Sequence, residues 1–444
     1  MTTTPQPPAP SGPGAATPGQ HARGPVPLQL LPDHSTIAAD GSLVIGGCRV
    51  DDLASEFGTP FFVYDEVHLR DRAREAVAAF GPGVAYASKA FLCTAMAALV
   101  HEEGMCIDVA TGGEMRVALA AGVPADRLVM HGNNKSNLEL EMALAEGVGR
   151  IVVDSFDEMD RIEALVAGGL PVPSVLLRIT PGIEAHTHEF VKTGQDDSKF
   201  GFGLASGAAR TALDRAHRST AMHLVGIHVH IGSQVFVVDS FRKAVQTLAP
   251  LVNDLGLPEF SIGGGLGVAY VEGEESATIT QWGAVMNQAC RDAGITAQVS
   301  AEPGRSIAAA AAVTVYTVGT IKDLPGIRTY VSVDGGMSDN PRPVLYGSGY
   351  ETFLPRAVAA DRPREIRLVG KHCESGDVLV REGYVPDDLA VGDLLATPVT
   401  GAYGHSMGSN YNKVLRPPVV FVRDGDARLV VRRETYDDLL RLDV

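Results

Sequence analysis

The stretch VAYASKAFLCTAMAALVHEEGMCIDVATGG, Val84–Gly113, contains one complete unit of a pattern that recurs along the chain. Its ends, VAYASKA and MCIDVAT, are short and apolar, whereas FLCTAMAALVHEEG between them is rich in Ala, Leu and Glu. The ends read as buried strands and the middle as an amphipathic helix. Two strands joined through a helix pair in parallel, because the helix carries the chain back across the sheet. The first run also contains Lys89, a long cation where an unpaired, desolvated ammonium would be costly. Either Lys89 stands where the strand leaves the core, or its amine is used chemically.

Outward from this unit the rhythm continues. RLVMHGN, RIVVDS, SVLLRIT, LVGIHVHIG, EFSIGGG and AQVSAEPG are further candidate strands, and each but the last precedes a helix-like stretch. With the two above they make eight within about 250 residues, the size and count of a closed (β/α)8 barrel of the TIM type. A doubly wound open sheet is the alternative from periodicity alone. Most of these strands end in chemically capable residues: Lys89, Asp108, Asn133, Asp154, Arg178, His230, the triplet Gly263–Gly265, and Glu302 with Arg305. Active sites of barrels lie at the C-terminal ends of their strands, which favours the barrel.

After about residue 310 the helices thin out. AAVTVYTVGTIK, TYVSVDGG, EIRLVGKHC, DVLVREGY, DLLATPV, PPVVFVRDG and ARLVVRRET read as an antiparallel β domain. Residues 28–64 carry strand-like pieces (SLVIGGCRV, PFFVYD) expected to join it, so the barrel spans 65–310 and the β domain 311–444. The first 27 residues are rich in Pro, Gly, Ala and Thr and read as a disordered tail.

The chain has 444 residues, 45% of them hydrophobic and 20% charged, enough to bury a sizeable core. Its 37 basic against 53 acidic residues give a net charge of −16, which argues against nucleic acid or an anionic membrane as partner. Five scattered cysteines form neither a disulfide framework nor a CxxC metal site. No signal-peptide core and no run of about 18 apolar residues is present. A cytoplasmic protein acting on a small molecule is expected.

Chemistry converges on one cofactor. A partly desolvated lysine is an amine nucleophile toward carbonyls. SIGGGLG after a strand lets backbone N–H groups approach an anion. Together these suggest an aldehyde bearing a phosphate, pyridoxal 5′-phosphate. In AEPGRS, Glu302 suits a protonated pyridine nitrogen and Arg305 an anion of substrate or cofactor. GIHVHIGSQ sets His228 and His230 on one strand face, either as an HxH zinc pair or with His230 against a flat ring and Ser233 near a phosphate. A zinc-dependent barrel hydrolase is therefore the rival class, with EAHTHEF (His186, His188) as further ligands. A non-catalytic relative of such a barrel is a third reading.

Taken together, YASKAF, DVATGGE, HGNNKS, EAHTHEFVKTG, DSKFGF, HVHIGSQ, GGGLG, EPGR, SVDGGMSDNPRPVLY, GKHCESGD and TGAYGHSMGSNYN resemble the diaminopimelate decarboxylases, over roughly residues 40–444 and in family order. The resemblance implies pyridoxal-phosphate-dependent decarboxylation of meso-2,6-diaminopimelate to L-lysine and CO2. It implies that Lys89 carries the cofactor, with His230 against the ring and Glu302 at its nitrogen. Asp108, Ser233, Gly263, Gly264, Gly265, Gly304, Arg305 and Tyr403 would complete the cofactor's surroundings. Arg305, Arg342, Tyr346, Glu374 and Tyr403 would hold substrate, and Cys373 would deliver the proton. It also implies a homodimer with shared active sites. Two arginines suit the carboxylates of such a substrate, and Glu374 suits its distal ammonium. His405 and Gly408 stand where the family pattern has an aromatic residue and a serine, which leaves room for a modified diaminopimelate or another basic amino acid as substrate.

Overall fold

The computed structural model describes residues 23–182, 197–236 and 238–444. Three short antiparallel strands come first: β1 (Ser35–Ile37), β2 (Leu43–Ile45) and β3 (Cys48–Arg49). After β4 (Phe61–Asp65) the chain enters eight parallel strands. In chain order these are β5 (Ala85–Ala87), β6 (Cys106–Val109), β7 (Leu128–Met130), β8 (Arg150–Val153), β9 (Ser174–Thr180), β11 (His223–His228), β12 (Glu259–Ser261) and β13 (Gln298–Ser300), with β10 (Phe202–Gly203) as a short spur on β9. All eight strands read from the sequence are present.

Closure comes from the backbone. The N–H groups of Ala85 and Ala87 donate to the carbonyls of Ala301 and Pro303 (3.0 and 3.2 Å), joining β5 to the chain just past β13. The alternation of each strand then sorts its side chains. Ala85, Cys106, Val129, Val152, Leu176 and Val225 form a small buried cluster of their own. Their neighbours Tyr86, Ile107, Leu128, Ile151 and Val175 belong to the large core shared with the outer helices. Two residues beyond the small cluster, on the same faces, stand Ala87, Asp108, His131, Asp154 and Arg178. An apolar plug therefore lies directly under a polar rim.

The second sheet has the order β17–β16–β15–β14–β4–β19–β20, with β18 beside β14. Its members are β14 (Ala312–Leu324), β15 (Arg328–Val333), β16 (Arg364–Val369), β17 (Val378–Val385), β18 (Leu394–Pro398), β19 (Val419–Arg423) and β20 (Asp426–Val431). The expectation of a wholly antiparallel domain is corrected here, because β15–β16 and β4–β19 pair in parallel. Neither pair is joined by a hairpin. A long excursion containing the helix Arg342–Tyr346 separates β15 from β16, and the entire barrel lies between β4 and β19. Long crossovers permit parallel pairing where short turns do not.

The N-terminal strands also divide. β4 sits inside the mixed sheet, whereas β1–β3 form a separate layer whose Leu43, Ile45 and Cys48 pack with Phe61, Val63, Val313 and Val420. The compositional tail is shorter than its 27 residues suggested. Arg23 bridges Arg362 through the backbone and pairs with Glu272 and Glu351, and Val26 is buried. Residues 1–22 lie outside the described residues. Among the described residues, no helix is long and apolar enough to cross a membrane.

His405, one of the two departures from the family pattern, sits where the barrel meets the mixed sheet. Its ring presents an edge-on contact to Phe62 (5.8 Å) and to Phe91 (5.9 Å). Burial and the nearby Arg416 push its pKa down to about 3. Between that value and the ordinary histidine value near 6.5, the unfolded chain binds the proton that the folded chain refuses, so stability falls as pH drops through this window. At pH 5 the loss relative to pH 8 is about 2 kcal/mol from this group. We expect His405→Phe to remove that part of the slope, seen as a smaller drop in Tm between pH 8 and pH 5 than in the parent protein.

Candidate functional site

A cavity of about 330 Å³ opens at the C-terminal ends of the barrel strands. Lys89 lies in the single 3-10 turn Ser88–Ala90 directly after β5 and is exposed into this space while both its neighbours are buried. Lys89 therefore stands where the strand leaves the core, with its amine free to meet what enters. Asp108, His230, Ser233, Gly264, Gly265, Glu302, Gly304, Arg305 and Tyr403 line the same cavity.

Glu302 is the deep end of the site. Its Oε2 is 2.9 Å from His228 Nε2, and its Oε1 accepts the Ser261 hydroxyl at 2.7 Å. Burial works to raise the Glu302 carboxyl, but His228 and the two hydrogen bonds outweigh it and hold the group well below the usual carboxylate range. Asp108 goes the other way. Burial, reinforced by the charge of Glu302, raises it well above the ordinary value. Burial drives His131 and His230 well below 6.5, so both rings are neutral. The cavity thus holds one carboxyl well below and a second well above the ordinary carboxylate range.

The glycine-rich loop serves close approach. Gly265 has φ +113°, and a Cβ there would collide with the Gly232 carbonyl, so the loops 229–234 and 263–267 meet backbone to backbone. Gly263 turns at the foot of this contact and its carbonyl accepts the Glu302 N–H (2.9 Å). The Gly264 N–H donates to His230 Nδ1 (3.2 Å), which fixes the ring and leaves its proton on Nε2. At the mouth, Arg305 donates to Ser233 Oγ (2.9 Å) and to the Tyr270 hydroxyl (2.8 Å), and its guanidinium lies 4.7 Å from the Tyr403 ring centre. The Tyr403 N–H donates to Ala90 O (2.8 Å), tying the mixed sheet's loop to the lysine turn.

Not every expected residue reaches the cavity. Arg342 lies behind it, stacked on Tyr270 (3.9 Å) and donating to Tyr350 and Ser348. Tyr346 is half-buried on the same short helix and does not line the cavity. Cys373 and Glu374 are exposed on the loop before β17 and do not line this chain's own cavity either. Nor does His405.

Sequence reasoning missed His131 as a site residue, although it stands two beyond inward-facing Val129, as Asp108 stands two beyond Cys106. Strand parity was the signal. Ser261 and Tyr270, which hold Glu302 and Arg305, had none. Arg178 lines the cavity beneath Phe200, 4.2 Å from its ring centre.

The geometry also weighs against zinc. Among the described residues, His131, His228 and Glu302 come close enough to suggest a metal site. However, the 2.9 Å between His228 Nε2 and Glu302 Oε2 is a hydrogen bond, closer than two ligands of one zinc ordinarily stand. His186 and His188 lie outside the described residues.

Residues 66–309 match the family described as pyridoxal-dependent decarboxylase, pyridoxal binding domain, and the site just described has the amine, the ionised acid and the anion loop that this cofactor requires. Diaminopimelate decarboxylase of Mycobacterium tuberculosis is 47% identical over 437 residues, covering 94% of this chain and 98% of that protein. The enzyme of the same name from Bacillus subtilis is 44% identical over 420 residues, covering 91% and 95%. The structure of diaminopimelate decarboxylase from M. jannaschii in complex with L-lysine superimposes with a TM-score of 0.85 at 31% identity, covering 93% of this chain and 98% of that one. The chain belongs to the diaminopimelate decarboxylase family.

One buried ion pair supports the rim. Lys135, 1% exposed, donates to Glu158 (2.7 Å) and to the carbonyls of Gly132 and Val152 (2.8 and 2.6 Å), pinning the ends of β7 and β8 beneath His131 and Asn133. Removing one partner strands the other charge in the core. We expect Lys135→Met to cost about 3–5 kcal/mol, read as a lower urea midpoint, and Lys135→Met/Glu158→Leu to recover most of it.

Proposed function

We propose that this chain performs pyridoxal-phosphate-dependent decarboxylation of meso-2,6-diaminopimelate to L-lysine, with the residues of this cavity in the following roles. The observation that carries the reading is the Lys89 amine facing the same cavity as a buried, ionised Glu302. When bound, the cofactor supplies an aldehyde for amines and a cationic ring that withdraws electrons from the bond to the departing carboxylate.

Lys89 would hold the aldehyde end. Glu302, kept ionised by His228 and Ser261, would hold a proton on the ring nitrogen. His230, fixed by Gly264, would lie against the ring. The N–H groups of Gly265 and Gly304, with Ser233 and Arg305, would form the anion cradle, on a loop that Gly263 and Gly264 fix through their own hydrogen bonds. Asp108, its carboxyl raised by burial and by the charge of Glu302, lines the cavity wall.

Substrate recognition draws on Arg305, Tyr403, Arg342, Tyr346 and Glu374. Arg342 is 4% exposed, and among the described residues no carboxylate pairs with it. A guanidinium buried without an anion is costly, which suits a site whose anion arrives with the substrate. A diamine-forming decarboxylase has no distal carboxylate to offer it. Glu374 answers the distal ammonium, and the Cys373 thiol delivers the proton that replaces CO2.

Cys373 and Glu374 are presented outward and away from their own cavity, which supports a homodimer in which each chain completes the other's site. Five free thiols accord with a reducing cytoplasm.

The purified protein with cofactor is expected to show a near-visible absorption band that Lys89→Ala lacks. CO2 release should be fast from meso-diaminopimelate and slow from ornithine, arginine and L,L-diaminopimelate. Preference for one of the latter would overturn the substrate assignment. The shared site is checked by mixing inactive Lys89→Ala with inactive Cys373→Ala. Re-assorted dimers should regain about a quarter of the parent activity, whereas sites confined to single chains regain none.

A further inference from the structure

Cys373 and Glu374 are exposed, but the residue before them is buried. His372 Nε2 lies 2.9 Å from Ser338 Oγ, and that hydroxyl lies 3.1 Å from Asp339 Oδ1. Asp339 Oδ2 in turn accepts the Gly336 N–H (2.9 Å). All three members of this chain are nearly inaccessible to solvent. The imidazole packs on Tyr411 at 5.3 Å, and its Nδ1 has no hydrogen-bond partner among the described residues. Around it, Asp377 accepts the N–H groups of His372 (2.9 Å) and Met337 (2.7 Å), and Asn412 Oδ1 accepts the N–H of Cys373 itself (3.0 Å).

We propose that His372 and Ser338 are positioning residues for decarboxylation: the Asp339–Ser338–His372 chain sets the tautomer of the imidazole and thereby the placement of the adjoining Cys373–Glu374 pair. The proposal rests on the reading of Cys373 as the proton donor.

A hydroxyl has one proton and donates in one direction at a time. With Asp339 ionised, Ser338 donates to the carboxylate and accepts from His372 Nε2–H, leaving Nδ1 bare. With Asp339 protonated, the acid donates to Ser338, the hydroxyl turns toward Nε2, and the ring carries its proton on Nδ1. Burial raises Asp339, hydrogen bonds from Gly336 and Ser338 oppose it, and Asp377 and Asp334 add to the rise, bringing the group to about 7. Both arrangements are therefore populated near neutrality. The other charged or titratable neighbours are Tyr316 on β14, Arg433 beyond β20, and Glu374, which faces Asp377 from the loop of His372.

The test is kcat and KM for CO2 release between pH 6 and 9, in holoenzyme whose near-visible band verifies folding and cofactor loading. Ser338→Ala should lower kcat about ten- to hundredfold with KM little changed, and should abolish the step in kcat near pH 7. Asp339→Asn, which cannot ionise, should also lose the step. Ser338→Thr keeps a hydroxyl and should restore both the rate and the step, which separates relay from packing if the alanine variant folds poorly. Parent-like kcat and an unchanged pH step in Ser338→Ala overturn the proposal. Cys373→Ala is measured in parallel. If it keeps the parent rate, the donor reading fails and the proposal falls with it. If it is inactive while Ser338→Ala is unaffected, only the positioning network is refuted.

Discussion

Two backbone hydrogen bonds, from Ala85 and Ala87 to the carbonyls of Ala301 and Pro303, decide what the remainder of this molecule can do. They close the sheet into a barrel and set the first strand's exit beside the last strand's. Lys89 leaves from one and Glu302 and Arg305 from the other, although more than two hundred residues separate them in sequence. The approach is close enough that a Cβ on Gly304 would press on Ala87, so the last turn has to be glycine at that point. An open sheet of the same strands would leave the amine and the acid at opposite edges.

Given closure, parity and burial arrange the electrostatics. The strands that contribute Ala85, Cys106, Val129 and Leu176 to the interior plug contribute Ala87, Asp108, His131 and Arg178, two residues on, to the cavity wall, and three of those are ionisable. Two acids so placed cannot both be charged cheaply in a space with little water. The conflict is resolved by hydrogen bonds. Glu302 receives donors from Ser261 and His228 and stays ionised, while burial and the charge of Glu302 raise the carboxyl of Asp108 well above its ordinary value. The charge sits on the strand end beside that of Lys89, and both side chains face one cavity that suits a flat molecule with an electrophilic carbon at one side and a basic nitrogen at the other.

Much of this was legible from residue order, and the limits have physical reasons. Eight strand–helix alternations and a chemically capable residue at most strand ends are local signals, so the barrel and the lysine, glycine and Glu–Arg elements of its rim could be read directly. Ser261 and Tyr270 act through tertiary contacts to residues 41 and 35 positions away, and nothing local distinguishes them from an ordinary strand serine or loop tyrosine. Parallel pairing of β4 with β19 is likewise invisible, because the register is set by a partner on the far side of the barrel. His405 shows the opposite error. Its place in a motif rich in site residues pointed to the substrate pocket, yet its ring fills the barrel–sheet junction against Phe62 and Phe91. The departure from an aromatic residue is thus a change in how two layers pack, and it takes His405 out of the sequence argument for a shifted substrate.

The mixed sheet has a role beyond covering the barrel. Its loops divide by destination. The loop after β18 sends Tyr403 into the cavity and bonds the lysine turn through Ala90. The loop after β16 points the other way, holding Cys373 and Glu374 toward solvent on a base fixed by Asp377, Asn412 and Ser338. A backbone fixed this thoroughly beneath an exposed thiol and carboxylate is poorly explained as surface decoration, since exposed segments ordinarily lose little by being mobile. Outward presentation makes sense when the target is a surface of fixed geometry, and in the proposed homodimer a second copy of the same chain would offer one, with Arg342 buried and, among the described residues, without a carboxylate partner. In that assembly the sheet would be the element through which two barrels form one catalytic unit.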